Sequence, residues 1–372
     1  MRVRSDGGED TVRCRWLIDA SSRFGLLKRN LNLARPNSHH VCAAWFRLDC
    51  EIAVDHWSSD PAWGARCNGL PRRLSTNHLL GSGYWAWIIP LPNGRTSIGL
   101  VADPVEHPLD TFNTFEKFMT WSREYQPLLA MHIQDSESSV MDFHYLSHLA
   151  LNCKSVWSAD GWALTGESGV FADPFYSPGM DYIGIGNTFI CDLVTRACVD
   201  QDRRLHATVY ENIYRSFFIS TMSLYQQQYI GFGDTHLMVL KSTWDYAYYW
   251  SVLAWMFFRD ALTDIPFMKA CEPELHRVFL LNSEMQAQFR KRAAERRTSP
   301  GRGRFIDQKA IPLLNELNAA LLKPDPASLQ DLQKSRRRLE ALASAVTDLL
   351  ALKQGKLGSH CSLLGDLAQR LA

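Results

Sequence analysis

Residues 161–194 constrain this chain more than any other stretch, because they join a strand-like run to a helix-like one through glycines, acids and prolines. Gly161-Trp162-Ala163-Leu164-Thr165 reads as a short buried strand, while Tyr182, Ile183, Ile185, Phe189, Ile190, Leu193 and Val194 carry apolar side chains at helical spacing. Between them lies Gly166-Glu167-Ser168-Gly169-Val170-Phe171-Ala172-Asp173-Pro174-Phe175-Tyr176-Ser177-Pro178-Gly179-Met180-Asp181. Glycine lets a backbone approach a ligand closely, and a helix start offers unpaired N–H groups and a positive dipole end to negative or electron-rich atoms. A large anionic cofactor suits such a joint, although an ordinary strand-loop-helix connection has the same outline.

Two other stretches stand out. In Trp85-Ala86-Trp87-Ile88-Ile89-Pro90, strand alternation puts Trp85, Trp87 and Ile89 on one face and Ala86 and Ile88 on the other, and Pro90 ends the strand or sits at its edge. The other stretch, Arg15-Trp16-Leu17-Ile18-Asp19-Ala20-Ser21-Ser22-Arg23, runs from an apolar piece into a polar loop.

Together these segments resemble flavin-dependent halogenases and related FAD monooxygenases. The loop at 166–181 resembles the family's second flavin-contacting motif, 85–90 matches its Trp-x-Trp-x-Ile-Pro signature, and 15–23 is similar to the Asp-Ala-Ser-Gly-Arg loop, with Ser22 in place of the glycine. Order and spacing agree as well: the tryptophan strand follows the first loop by about 65 residues, and the flavin loop follows it by about 80. The resemblance covers roughly residues 2–260. It implies FAD as cofactor, contacted by Asp19, Ala20, Ser21, Gly166, Glu167, Asp173, Pro174, Ser177, Pro178, Gly179 and Met180. Glu167 would bond the ribityl chain in a place commonly held by Asp, and the loop 173–180 would lie along the isoalloxazine ring. Phe175 and Tyr176 would be candidates for contacts to the ring edge. Trp85, Trp87, Ile89 and Pro90 would separate flavin from substrate. Pro178 stands where the family has a Ser or Thr whose N–H helps hold halide; proline has no N–H, so only the Gly179 amide would remain.

A dinucleotide-binding domain opens with a strand, a Gly-x-Gly-x-x-Gly turn and a helix. Nothing before Arg15 fits that pattern. The expected fold is therefore α/β (α+β): a partial FAD/NAD(P)-binding Rossmann-like domain lacking its N-terminal βαβ unit, an antiparallel substrate-domain sheet and a C-terminal helical region. Residues 1–35 and 155–204 would form the flavin-domain remnant, 36–154 the sheet, with Pro92-Asn93-Gly94 as a hairpin turn, 205–289 an aromatic-rich helical region, and 290–372 a charged linker with C-terminal helices. The family's catalytic lysine falls in the lacking part, so the catalytic group stays unknown; Lys154 and Lys241 read as surface or helix residues.

Within the helical part, residues 247–258 form an apolar run too short to span a bilayer, which reads as a core or pocket helix. The stretch 290–304 reads as charged and flexible. Beyond it Leu332, Leu339 and Val346 recur every seven residues, as do Leu342 and Leu349, which predicts an amphipathic helix set off by Pro324-Asp325-Pro326.

A net charge of +1 gives no reason to expect nucleic acid, and nine cysteines without metal-ligand spacing argue against zinc or a disulfide framework. The charged N-terminal ten residues lack an apolar targeting core, so a cytoplasmic setting is expected. The resulting expectation is an FAD-dependent oxidoreductase of the halogenase-like monooxygenase group, using reduced flavin and oxygen on an aromatic or carrier-bound organic substrate, with a flavin reductase as partner. Two alternatives stand beside it: a truncated, non-catalytic binding module, and a flavin reductase of the geranylgeranyl-reductase type.

Overall fold

The structure, a computed structural model, describes residues 2–5, 7–67, 70–136, 139–199, 201–295, 307 and 311–351. The strands in chain order are β1 (Arg2–Ser5), β2 (Gly8–Thr11), β3 (Leu17–Asp19), β4 (Ala34–Arg35), β5 (Cys42–Leu48) and β6 (Asn77–Gly81). They continue with β7 (Tyr84–Leu91), β8 (Arg95–Ala102), β9 (Val140–Leu146), β10 (Asn152–Cys153), β11 (Trp157–Ser158) and β12 (Trp162–Leu164). The helices begin with α1 (Leu26–Asn30), α2 (Pro61–Ala65), α3 (Phe115–Tyr125), α4 (Pro127–Gln134), α5 (Pro178–Cys198) and α6 (Arg204–Met222). They end with α7 (Thr235–Ser251), α8 (Leu253–Phe258), α9 (Ile265–Ala294), α10 (Pro312–Leu321) and α11 (Leu329–Ala351). The chain divides into two compact units, residues 1–38, 150–222 and 260–270 in the first and 39–149, 223–259 and 271–372 in the second.

In the first unit the strand order is β11-β12-β3, with β12 antiparallel to β11 and parallel to β3. The parallel pair depends on Gly161, whose φ of +93° carries the chain into β12 and whose added Cβ would lie 2.4 Å from the Arg15 carbonyl oxygen. Only glycine fits a left-handed position pressed against another backbone. Helix α5 forms where the apolar spacing predicts it, burying Tyr182, Ile185, Phe189, Ile190 and Leu193. Those side chains pack against α6 through edge-on and stacked ring contacts, such as Tyr182 with Tyr214 and Phe189 with Tyr210.

The second unit holds an antiparallel sheet in the order β6-β7-β8-β5-β9. Alternation along β7 follows the expected pattern: Tyr84, Ala86 and Ile88 join Phe46, Ile98 and Leu100 in a core closed by Phe118, Trp121, Leu129 and Ile133 of α3 and α4. Trp85 and Trp87 take the other face. The expected hairpin at Pro92-Asn93-Gly94 joins β7 to β8, with left-handed φ at Asn93 and Gly94.

Helix α11 forms as the heptad spacing predicts and buries Leu332, Leu339, Leu342, Val346 and Leu349, packing on α7. Three expectations need correction. The apolar run 247–258 is two helices, because Val252 leaves helical geometry at φ −124° and ψ −79°. Arg290 lies inside α9, which continues to Ala294; of the expected flexible stretch, residues 296–304 lie outside the described residues. Lys241, expected as a surface or helix residue, does lie in α7 but is not at the surface: it is 1% exposed and paired with Asp245 at 2.9 Å and with the Gln286 side chain at 3.0 Å. Burial pushes its ammonium pKa down, and Asp245 opposes that shift. A buried ion pair tolerates loss of both charges far better than loss of one, which strands the partner in a low dielectric. Lys241→Met is expected to destabilise the chain by about 3–5 kcal/mol in urea denaturation, and Lys241→Met with Asp245→Leu to recover most of that loss.

Candidate functional site

The loop after β3 is organised by Asp19, which is 4% exposed. Its carboxylate accepts the Ser21 hydroxyl at 2.6 Å, the Ser21 amide at 2.9 Å, the Leu27 amide at 2.7 Å and the Ser168 hydroxyl at 3.3 Å. Burial alone would raise the Asp19 pKa, but these donors outweigh it and hold the pKa below the usual carboxylate value. Ser21 in turn accepts the Leu26 amide at 3.1 Å. Asp19 and Ser21 therefore cap the start of α1, while Ala20 stands exposed beside them. Ser22, where the resemblance expects glycine, has φ +55°. The backbone keeps the conformation that glycine adopts freely and a side chain adopts at a cost.

The turn after β12 closes against this loop. Gly166 has φ +58°, and Glu167 pairs with Arg23 at 3.0 Å and accepts the Ser22 hydroxyl at 3.2 Å. Arg23 also lies over the Phe171 ring, 5.3 Å from its centre. Lys28 donates to the Gly169 carbonyl at 2.6 Å, and burial lowers its pKa. Arg23 and Lys28 had no role assigned from the sequence; Arg23 was visible as the last residue of the Asp-Ala-Ser-x-Arg pattern, whereas nothing local marks Lys28.

Asp173 is fully buried and accepts the Phe175 amide at 2.9 Å; Pro174 provides the carbonyl that the Ser177 amide bonds at 2.9 Å. Tyr176 and Ser177 then adopt φ of +68° and +57°, two successive left-handed residues without a glycine. Each costs about 1–2 kcal/mol, and strain of this kind gathers where a ligand is to be gripped. Pro178 takes the first position of α5, suited to its fixed φ and missing N–H. The Gly179 amide has no partner among the described residues, and its missing Cβ leaves 3.3 Å to the Phe171 ring. Met180 is 71% exposed. The loop thus offers one helix-end amide and an exposed thioether beside a strained turn.

In the second unit, Trp85 is 2% exposed and its indole N–H donates to the Tyr229 hydroxyl at 2.8 Å. The Trp87 N–H donates to the Ser97 hydroxyl at 3.1 Å. Ile89 and Pro90 are half-buried. Pro90 lies inside β7 opposite Thr96, beyond Ile88 where pairing with β6 ends, so its missing N–H interrupts no ladder bond on that side.

No family model matches the chain. The flavin-dependent halogenase chlA of Dictyostelium discoideum is 29% identical over 255 residues, 65% of this chain and 41% of that protein. The flavin-dependent halogenase ascD of Acremonium egyptiacum is 24% identical over 224 residues, 57% of this chain and 38% of that protein. The crystal structure of halogenase PltM superposes with a TM-score of 0.55 at 14% identity, covering 99% of this chain and 68% of that one. PltM in complex with phloroglucinol and FAD gives a TM-score of 0.55 at 16% identity, covering 95% and 71%. The chain is similar in sequence to these flavin-dependent halogenases, shares the mixed helix-and-sheet fold of PltM, and spans about two fifths of the length of the curated relatives it matches.

Two outcomes follow for the loop. Ser22→Gly relieves left-handed strain and loses one exposed hydrogen bond, so a rise in stability of about 0.5–1 kcal/mol is expected from urea midpoints. Because the folded-state pKa of Asp19 is lowered, its contribution is complete above the unfolded carboxylate value of about 3.9 and is lost as pH falls through the folded pKa. Stability measured against pH should lose part of that acid slope in Asp19→Asn.

Proposed function

We propose that this chain carries the flavin-contacting loop and the substrate-side sheet of an FAD-dependent oxidoreductase of the halogenase-like monooxygenase group. The observation that carries the reading is the pair of left-handed residues Tyr176 and Ser177 delivering the Gly179 amide, unpartnered among the described residues, to the start of a 21-residue helix. A ring with electron-rich edge atoms fits that donor and the positive end of the helix dipole. Glu167 is one-third exposed, and Arg23 and Ser22 both engage its Oε2, which leaves Oε1 to accept a ribityl hydroxyl. Asp19 and Ser21 serve by holding the loop in shape rather than by touching the cofactor, since their polar groups are engaged with neighbours.

FAD would supply redox chemistry with oxygen; the chain binds, orients and excludes water. Asp173, Pro174 and Ser177 fix the turn, and Gly179 donates. Because Pro178 has no N–H, a halide would find one backbone donor where the family has two, which favours an oxygenating outcome or weak halide use. Partly buried Trp87 walls the space offered to an aromatic or carrier-bound organic substrate, and Trp85 packs beside it with ring centres 5.7 Å apart. A flavin reductase as partner and a cytoplasmic setting complete this reading; a net charge of +1 favours a small-molecule substrate over nucleic acid, and no described helix is long and apolar enough to cross a membrane.

Purified chain incubated with FAD and passed through a desalting column should emerge with a protein-bound flavin spectrum. Glu167→Ala should weaken that binding about tenfold, roughly the worth of one net hydrogen bond. A chain that stays colourless in excess FAD would support the non-catalytic binding module instead.

A further inference from the structure

The five-stranded sheet ends at one side on β9, and nothing among the described residues pairs with the outer edge of that strand. Register decides which backbone groups lie there. The Leu149 amide bonds the Val41 carbonyl, the Asp49 amide bonds the Ser139 carbonyl, and the Arg47 amide donates to the Asp142 side chain. The odd-numbered residues from Val41 to Asp49 therefore turn their backbone groups toward β9. Directly opposed residues of an antiparallel ladder exchange both bonds or neither. Trp45 thus bonds His144 and Ala43 bonds Leu146, which leaves the N–H and C=O groups of Phe143 and Tyr145 directed outward.

An open edge is a template for another strand, and proteins blunt it with proline, lysine, bulges or short length. β9 has seven residues, Val140-Met141-Asp142-Phe143-His144-Tyr145-Leu146, with no proline, glycine or lysine among them. Its pairing with β5 is irregular beside Leu48, at the start of the strand, and regular from Asp142 onward. Met141 and Tyr145 are 40% and 54% exposed, large side chains left standing at the rim.

This strand is complementary to itself. Laid antiparallel on a second copy and centred on Asp142, it sets two carboxylates face to face; centred on His144, it sets two imidazoles face to face. Centred on Phe143, it places Asp142 of each copy opposite His144 of the other and Val140 opposite Leu146, with Tyr145 at the end where Met141 stands. Unlike charges and apolar pairs directly across an antiparallel ladder stabilise it, and like charges there oppose it. In the same register Phe143 exchanges both outward bonds with Phe143 of the second copy, as a two-fold axis requires. Arg47, whose Nε donates to Asp142 at 2.8 Å, offsets the carboxylate, so no net charge gathers across the axis.

We infer that the outer edge of β9 docks a second copy of this chain, the two strands pairing antiparallel about Phe143 so that the two sheets become one continuous sheet. A single strand pair makes a small interface, so the dimer forms at roughly tens of micromolar chain and exchanges readily. Its formation asks nothing of the flavin reading and holds with or without FAD.

Sedimentation equilibrium of the full chain from about 1 to 100 micromolar is the test, and the average mass should rise from one chain toward two. Tyr145→Pro removes an outward N–H and no bond to β5, so it should keep the chain monomeric throughout that range with an unchanged circular dichroism spectrum. His144→Lys sets a permanent cation opposite Asp142 and should tighten the dimer about two- to fivefold, and His144→Glu should weaken it by about as much. Both of these change an exposed side chain, so they decide the matter even if Tyr145→Pro fails to fold. A chain monomeric at the highest concentration, or a dimer that survives Tyr145→Pro, overturns the assignment. So does a dimer weakened by His144→Lys, because two cations would then face each other across a different register.

Discussion

A single buried carboxylate holds the candidate cofactor loop together. Asp19 ends a three-residue strand, collects donors from its own loop, from the start of α1 and from Ser168 in the turn after β12, and so ties together segments that are 149 positions apart in sequence. Removing a carboxylate from water without partners is costly; with four donors converging, the charged form is held and the geometry becomes specific. Around it the pairs Arg23 with Glu167 and Lys28 with the Gly169 carbonyl set the distance between the two turns. The strained Tyr176–Ser177 step can persist because the turn before it is anchored this way and α5 after it buries a full apolar face.

The five-stranded sheet divides its labour by face. One face is the dry core, with Phe46, Ile98 and Leu100 under α3 and α4. The other carries large rings whose polar tips find partners, buried Trp85 on Tyr229 and half-buried Trp87 on Ser97, and these bonds hold each indole in one orientation. Gly99 makes that arrangement possible by being absent as a side chain, since a Cβ there would lie 2.1 Å from the Trp87 ring.

Much of this was legible in the sequence wherever a period repeats. The alternation of β7, the hairpin at Asn93-Gly94, the apolar stripe of α5 and the heptads of α11 each express one buried face at fixed spacing. The Ser22 substitution was readable too, although its meaning was not: the chain keeps the left-handed turn and accepts the strain. What escaped depends on residues far apart in sequence. Lys241 looks like any helical lysine until Gln286, 45 positions away, and the surrounding packing enclose it. The partners of Glu167 lie about 145 positions back, and the open edge of β9 is defined only once the strands of its sheet are in register. The break at Val252 has no glycine or proline to announce it.

Whether the turn from Asp173 to Gly179 receives an isoalloxazine ring is read directly from amide hydrogen exchange followed with and without FAD. Added FAD should slow exchange in the peptide spanning residues 172–182, with the Gly179 amide most affected, since that donor has no partner among the described residues. Unchanged exchange across this turn at saturating FAD, or protection confined to other segments, would contradict the account.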